Sequence, residues 1–187
     1  MRSLKTLSIV VPSYNMEKYI ERCLDSFVSE EIMDRIEVLV INDGSKDSTL
    51  QIAKGYEKKY PGTFIAVDKI NGGHGSTINK GIELAKGKYF KVVDADDWVD
   101  TNALIKLVDF LDACESEIVV THFATVNLVD DKREEIRFKD VEFERNYSWS
   151  EIVAKKMVLP MHSITYKTLV LKDNKIRLQE KTFYVDL

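Results

Sequence analysis

The chain has 187 residues, of which 44% are hydrophobic and 31% charged, which fits one globular domain and excludes a largely disordered chain. Its formal net charge is −4 and its Lys and Arg residues are dispersed, so nucleic acid is disfavoured as a partner. No apolar run approaches the roughly 20 residues that span a bilayer, and we expect no transmembrane segment. The two cysteines, Cys23 and Cys114, lie in helical apolar patterns, which predicts buried thiols in a cytoplasmic protein.

Strand and helix patterns alternate through the first half of the chain. Residues 7–11 and 38–41 are apolar runs typical of parallel strands covered on both faces. A helical pattern runs from Tyr19 to Phe27, and Ser48 with Gln51 predicts a capping box at the start of a second helix. The other predicted elements are strands at residues 64–67, 89–93 and 118–121 and helices around residues 78–85 and 104–111. This order predicts an α/β fold with a mostly parallel central sheet flanked by helices.

The pattern changes after about residue 127. Residues 130–132 predict a hairpin turn between strands at 123–128 and 136–143, where apolar and polar residues alternate. Ser148 with Glu151 predicts a capping box, which opens a short helix through Met157 that ends before Pro160. We interpret this part as an α+β elaboration of the same domain. The sequence stops in mid-pattern at residues 184–187, so we expect the natural protein to continue.

The sequence Val92-Val93-Asp94-Ala95-Asp96-Asp97 places three carboxylates where a buried strand should end. Carboxylates this close repel one another unless a cation or ligand donors neutralise them. The carboxyl ends of parallel strands are also where an open α/β sheet binds its ligand. Asp100 is placed to cap the next helix, but the three acids before it need another explanation. We therefore predict a divalent-metal site for a phosphorylated ligand.

Two further strand ends carry polar residues suited to a nucleotide. Pro12-Ser13-Tyr14-Asn15 follows the first strand, where the tyrosine ring could stack on a base and Asn15 could bond its edge. A Pro-Asn turn with a helix cap at Asn15 is the alternative. Asp43 follows the second strand and could accept a hydrogen bond from a base N–H, or form an Asp-Gly turn.

A glycine-rich loop, Asn71-Gly72-Gly73-His74, follows the third strand and runs into a helix. Such loops let backbone N–H groups approach phosphate, and His74 could contact a diphosphate or could be merely solvated. The glycines do not follow the first strand, which disfavours a Rossmann dehydrogenase. A phosphatase with paired aspartates is disfavoured as well, since its acids would follow the first strand.

Taken in order, these motifs resemble family 2 glycosyltransferases, which have the GT-A fold. The matching segments are Val10-Val11-Pro12-Ser13-Tyr14-Asn15, Val40-Ile41-Asn42-Asp43-Gly44-Ser45, Asn71-Gly72-Gly73 through Asn79-Lys80-Gly81, and Asp94-Ala95-Asp96-Asp97. The resemblance covers about the first hundred residues densely. It departs at Thr77-Ile78, where many members have Ala-Arg.

The resemblance assigns roles to these residues. Tyr14 and Asp43 are expected to hold the uracil of a UDP-sugar, Asp94 to lie near the ribose, and Asp96 to bind Mn²⁺ or Mg²⁺ on the diphosphate. Phe183-Tyr184-Val185-Asp186 loosely resembles the family's acidic motif, which makes Asp186 the candidate catalytic base. The full set of expected donor-binding residues is Pro12, Tyr14, Asn15, Asp43, Gly73, His74, Asp94 and Ala95.

The resemblance also implies a function. We expect one domain over residues 1–187, with a nucleotide-binding half at 1–127 and an acceptor-side half at 128–187. The expected reaction is an inverting transfer of sugar to a hydroxyl of a glycan or lipid-linked acceptor in polysaccharide synthesis. It would take place in the cytoplasm or at the inner face of the membrane. The alternative is a nucleotide-sugar-binding module without catalysis. A sugar nucleotidyltransferase would need a Gly-rich, Arg-containing loop after the first strand, which is absent.

Overall fold

The computed structural model describes residues 5–127, 129–130, 132–139, 141–143, 145–156 and 158–182. Within this part of the chain, six strands form one sheet in the order β3-β2-β1-β4-β8-β5, and β6 pairs with β7 in a separate hairpin. The strands are β1 (Leu7–Ser13), β2 (Ile36–Asn42), β3 (Phe64–Asp68), β4 (Tyr89–Val92), β5 (Ile118–Val120), β6 (Phe123–Val126), β7 (Arg133–Ile136) and β8 (Ile164–Lys167). Strands β1 to β4 are parallel, and β8 is antiparallel to both β4 and β5. The predicted α/β fold with a mostly parallel sheet is confirmed.

Helices connect the parallel strands and cover both faces of the sheet. They are α1 (Ile20–Asp25), α2 (Thr49–Lys59), α3 (His74–Leu84), α4 (Thr101–Ala113), α5 (Trp149–Ala154) and α6 (Thr168–Asp173), with a 3₁₀ turn at Met161–Ser163. Within the described ranges, no helix is long and apolar enough to cross a membrane.

The mostly apolar strands β1 and β2 are buried along their whole length, as expected for central strands. Their side chains alternate between two hydrophobic clusters. Ile9 and Val38 lie in the cluster that contains residues of α1 and α4. Val10 and Leu39 lie in the cluster that contains residues of α3 and α6. The sheet is therefore covered on both faces, and the loops at its strand ends can hold a functional site.

Pro12 lies inside β1, where a central strand rarely tolerates proline because it donates no hydrogen bond. The register explains why it is accepted. The carbonyl of Val10 accepts from Val93 N at 3.0 Å, so Val10 and Pro12 both direct their backbone groups toward β4. The β1–β4 pairing stops at Val10 and Val92, and Pro12 lies beyond it. The N–H that Pro12 lacks would therefore lie beyond the last residue pair of this ladder.

The helix caps at Asp100 and Ser148 agree with the sequence, and the cap at Ser48 differs. The side chain of Asp100 caps α4, and Ser148 forms the predicted capping box with Glu151 at α5. The capping box at Ser48 is wrong, because the Ser48 side chain makes no cap hydrogen bond. Asp47 Oδ1 instead accepts from Thr49 N at 3.0 Å, so the carboxylate one residue earlier takes over the role.

The second half of the chain differs most from expectation. The second hairpin strand was predicted at 136–143, but β7 is Arg133–Ile136. Ile136 pairs with Phe123, the first residue of β6, so the described residues between 137 and 143 have no partner strand. Strand β8 was not predicted at all, since four residues after Pro160 carry too little pattern. Its place between β4 and β5 makes the second half part of the main sheet. Predicted helix residue Met157 lies outside the described residues.

Candidate active site

Apart from Pro12, which lies inside β1, and Asp186, which lies outside the described residues, the predicted site residues follow β1, β2, β3 and β4. These parallel strands end at the same edge of the sheet. Strand β8 runs antiparallel to β4, so the chain enters β8 at that same edge. The 3₁₀ turn before β8 therefore joins the four loops. The structure thus gathers five segments at one end of the sheet.

Hydrogen bonds join the first two loops to each other. Asn15 has a φ of 56° and does not cap α1, which begins only at Ile20. Its backbone N–H donates to Ser45 Oγ at 3.0 Å, and its Oδ1 accepts from Lys46 N at 2.9 Å. Tyr14, the residue before it, has 44% of its surface exposed. The interpretation of Asn15 as a helix cap is wrong, and its amide instead fixes the loop that presents the tyrosine ring.

Asp43 is buried, with 3% of its side chain exposed, and lies at the end of β2. Its Oδ1 accepts from Gly72 N at 2.9 Å, and its Oδ2 accepts from Gly73 N at 2.8 Å. Lys69 Nζ donates to Oδ1 at 2.6 Å. The carboxylate thus holds the glycine-rich loop in place. Its role in binding uracil stays a prediction.

Gly73 is required at its position by backbone geometry. Its φ is 84°, and a Cβ there would lie 3.1 Å from Lys181 N. Lys181 N donates to the carbonyl of Gly72 at 3.0 Å, and Leu178 exchanges two hydrogen bonds with the amide of Asn79 on α3. The segment at 178–182 therefore runs along α3 to the glycine-rich loop. Asp186, the expected base, lies outside the described residues.

His74 and Asp94, predicted separately from two loops, are paired in the structure. His74 Nε2 lies 2.9 Å from Asp94 Oδ1, and about a third of the histidine side chain is exposed. Their loops follow β3 and β4, which are not neighbours in the sheet, so the pair links two separate loops. Ala95, between Asp94 and Asp96, is buried with 1% exposure. Its small side chain keeps the acidic loop close to the core.

The three acids of the acidic cluster differ in their surroundings. Asp96 is exposed, and no hydrogen bond of its side chain is found among the described residues. Burial, and then the charges of Asp94 and Asp96, raise the pKa of the Asp97 carboxyl. The cluster therefore lacks enough positive charge of its own, although His162 partly offsets this at Asp97.

These residues fit a cation that arrives with a ligand better than a permanent metal centre. In the described ranges, no group of three or more Asp, Glu, His or Cys side chains converges to hold a metal alone. Mg²⁺ and similar ions in phosphate sites use one or two carboxylates and complete their coordination with phosphate and water. The exposed Asp96, beside Asp94, offers such a partial set.

Two residues of this edge escaped the sequence analysis. Lys91, on β4, is 6% exposed and donates to the carbonyls of His162 at 2.8 Å and Ile164 at 3.3 Å. His162 lies in the 3₁₀ turn, with its Nδ1 4.0 Å from Asp97 Oδ2. The only available signal was a lysine inside an apolar strand pattern. Nothing local in the sequence linked it to a histidine 71 residues later.

The fold and the arrangement of loops define a protein of the nucleotide-diphospho-sugar transferase class. The model of the family described as "Glycosyl transferase family 2" matches residues 8–169, so this chain belongs to glycosyltransferase family 2. The resemblance inferred from the motifs is confirmed.

Relatives and solved structures agree on this family. A poly(ribitol-phosphate) beta-glucosyltransferase of Bacillus spizizenii is 36% identical over 123 residues, which are 65% of this chain and 19% of the relative. The poly(ribitol-phosphate) beta-N-acetylglucosaminyltransferase TarS of Staphylococcus aureus is 31% identical over 175 residues, 93% of this chain and 30% of TarS. The crystal structure of TarS 1–349 covers 97% of this chain with a TM-score of 0.74 and 29% identity.

Some of the similar solved structures contain ligands. TarS 1–349 in complex with UDP-GlcNAc matches with a TM-score of 0.69 and 26% identity over 97% of this chain. A mannosyltransferase from Pyrobaculum calidifontis, in complex with GDP-Man and Mn²⁺, has a TM-score of 0.65 at 17% identity, which supports the GT-A fold alone. The chain spans about half of TarS 1–349 and a third or less of the two curated relatives above.

Proposed function

We propose that the protein transfers a sugar from a UDP-sugar to a hydroxyl acceptor in the synthesis of a cell-surface polysaccharide. The observation that supports this most is the set of loops after β1 to β4, joined by Asp43 and by the His74–Asp94 pair at one edge. A family 2 chain with this edge, similar over 97% of its length to a UDP-GlcNAc complex, supports a UDP-sugar as donor.

The donor would lie along this edge. The exposed ring of Tyr14, next to Pro12, would stack on uracil, and Asp43 would accept from its N3–H. Gly73 and His74 would face the diphosphate, with Asp94 near the ribose. Asn15 acts indirectly, because it fixes the loop of Tyr14, and Ala95 keeps the acidic loop close.

Asp96 would hold Mn²⁺ or Mg²⁺ on the diphosphate. When bound, the ion supplies positive charge that stabilises the leaving diphosphate. The raised pKa of Asp97 supports such a site, because the cluster gains from an added positive charge.

Asp186 would remove the proton from the acceptor hydroxyl, which then attacks the anomeric carbon as the diphosphate leaves from the opposite face. A positioned base contributes about 10²–10⁴-fold to such a step. The two relatives are named beta-transferases, and a β-product from an α-linked UDP-sugar requires inversion. Their names also suggest a poly(ribitol phosphate) or a related phosphate-linked polymer as acceptor.

The test is UDP release from UDP-glucose and UDP-GlcNAc in Mn²⁺, with and without poly(ribitol phosphate). We expect acceptor-dependent release that Asp96→Asn lowers at least about 100-fold, as expected for loss of a metal contact to a leaving group. Asp100→Asn is the matched control, since asparagine also caps helices well and the rate should stay within about twofold. UDP binding with no release would instead identify a binding module. An Asp96→Asn variant with the wild-type rate would refute the metal role.

A further inference from the structure

The 3₁₀ turn before β8 lies next to the acidic loop. Strand β8 pairs antiparallel with β4 at Phe90–Tyr166 and Tyr89–Lys167, so its first residues lie beside the end of β4. The proposed site for the uracil base lies on the other side of β4, at β1 and β2. His74 reaches Asp94 after β4, so a diphosphate between His74 and Asp96 would lie at the end of β4. A donor with its uracil at β1 and β2 and its diphosphate there would direct its sugar toward β8.

Unusual contacts hold this turn in place. The β4–β8 pairing ends at Phe90, and the ammonium of Lys91 bonds the next carbonyls, those of His162 and Ile164. Burial lowers the pKa of Lys91 to about 8, a cost that an apolar residue would avoid. On the other side, Thr121 N donates to Ser163 O at 2.8 Å. The backbone of the turn is therefore fixed from both neighbouring strands.

The side chain of His162 is 48% exposed. Its ring packs on Phe123 with centroids 5.3 Å apart. The 4.0 Å between His162 Nδ1 and Asp97 Oδ2 is too long for a hydrogen bond. One oxygen at about 2.8 Å from each would fit between them. A hydroxyl can accept from the imidazole and donate to the carboxylate at once, which is the chemistry of a sugar hydroxyl.

We propose that His162 contacts the sugar of the donor, through a hydroxyl shared with Asp97, and that Lys91 is the positioning residue that holds His162 there. This inference rests on the proposed function. The proposed function gains from it the part of the edge that distinguishes a UDP-sugar from UDP.

The test is calorimetric titration of UDP, UDP-glucose and UDP-GlcNAc into wild type and variants, in Mn²⁺. We expect His162→Ala to lower the affinity for at least one UDP-sugar about three- to tenfold, which corresponds to the loss of one hydrogen bond, while the affinity for UDP stays unchanged. His162→Asn keeps a donor and should recover part of the difference. His122→Ala is the matched control, because its ring packs on Phe138 and Phe143 and should leave all affinities unchanged.

Lys91→Met tests the positioning role without touching the ligand. It should lower the affinity for the same UDP-sugar that His162→Ala affects. The affinity for UDP and the far-ultraviolet circular dichroism spectrum should remain those of wild type. Equal losses for UDP and UDP-sugars, or no loss in His162→Ala, would overturn the proposal while UDP binding still supports the proposed function. A wild type that binds no UDP would overturn both.

Discussion

Replacing Asp43 by Asn tests whether this carboxylate organises the edge. The carboxylate receives three hydrogen bonds, from Gly72 N, Gly73 N and Lys69 Nζ, and is almost wholly buried. An amide keeps one accepting oxygen and turns its NH₂ toward a backbone N–H, so at least one buried donor loses its partner. Breaking a buried charge pair costs about 3–5 kcal/mol, and 21% exposure lets Lys69 regain some water. We therefore expect a loss of about 2–4 kcal/mol.

Urea unfolding measures this loss as a lower midpoint at an unchanged slope. Asp68→Asn is the matched control, since Asp68 ends the neighbouring strand β3, is exposed, and accepts from Asn42 Nδ2 at 2.7 Å. It should cost no more than about 1 kcal/mol. If Asp43→Asn costs no more than Asp68→Asn, Asp43 does not hold the glycine-rich loop.

Three further predictions follow from packing and charge. Gly87→Ala should cost about 1–3 kcal/mol in urea unfolding, because its Cβ would lie 2.5 Å from Ser8 N; Gly55→Ala, in open space on α2, should instead stabilise slightly. Burial penalises the charged ammonium of Lys91, which lowers its pKa, and the penalty disappears as the group loses its proton. Wild type should therefore gain stability relative to Lys91→Met as pH rises from about 8 toward 10.5. The gain is at most about 3 kcal/mol. A difference in stability between wild type and Lys91→Met that does not change with pH would contradict this prediction. Asp97→Asn should raise Tm slightly at pH 7, because burial and the charges of Asp94 and Asp96 make the charged form of Asp97 costly, which raises its pKa. That gain should vanish as pH falls below the ordinary value of 3.8, and a gain that persists there would have another cause.

The parallel half of the fold was predictable because its signals are local. The strands β1 and β2 are largely apolar, interrupted within their runs only by Ser8 and Glu37, and polar residues mark their ends. Strand β8 was not predictable, because its four residues gain their stability from β4 and β5, distant in sequence.

The candidate site divides in the same way. Asp94 and Asp96 could be found from their spacing, since three acids at a strand end need a cation or a ligand. The bonds of Asp43 to Gly72 and Gly73 span 29 and 30 residues, and no local pattern encodes them. Lys91 was missed for a related reason, because a lysine in a strand is normally expected to face water.

Calorimetric titration of UDP, with ADP and GDP as controls, in Mn²⁺ and then in EDTA, is the most direct test of the proposed donor site. We expect binding that is selective for UDP and weaker in EDTA, because Tyr14 and Asp43 would hold the base and Asp96 the ion on the diphosphate. Equal binding of the three diphosphates, or UDP binding that EDTA leaves unchanged, would contradict it.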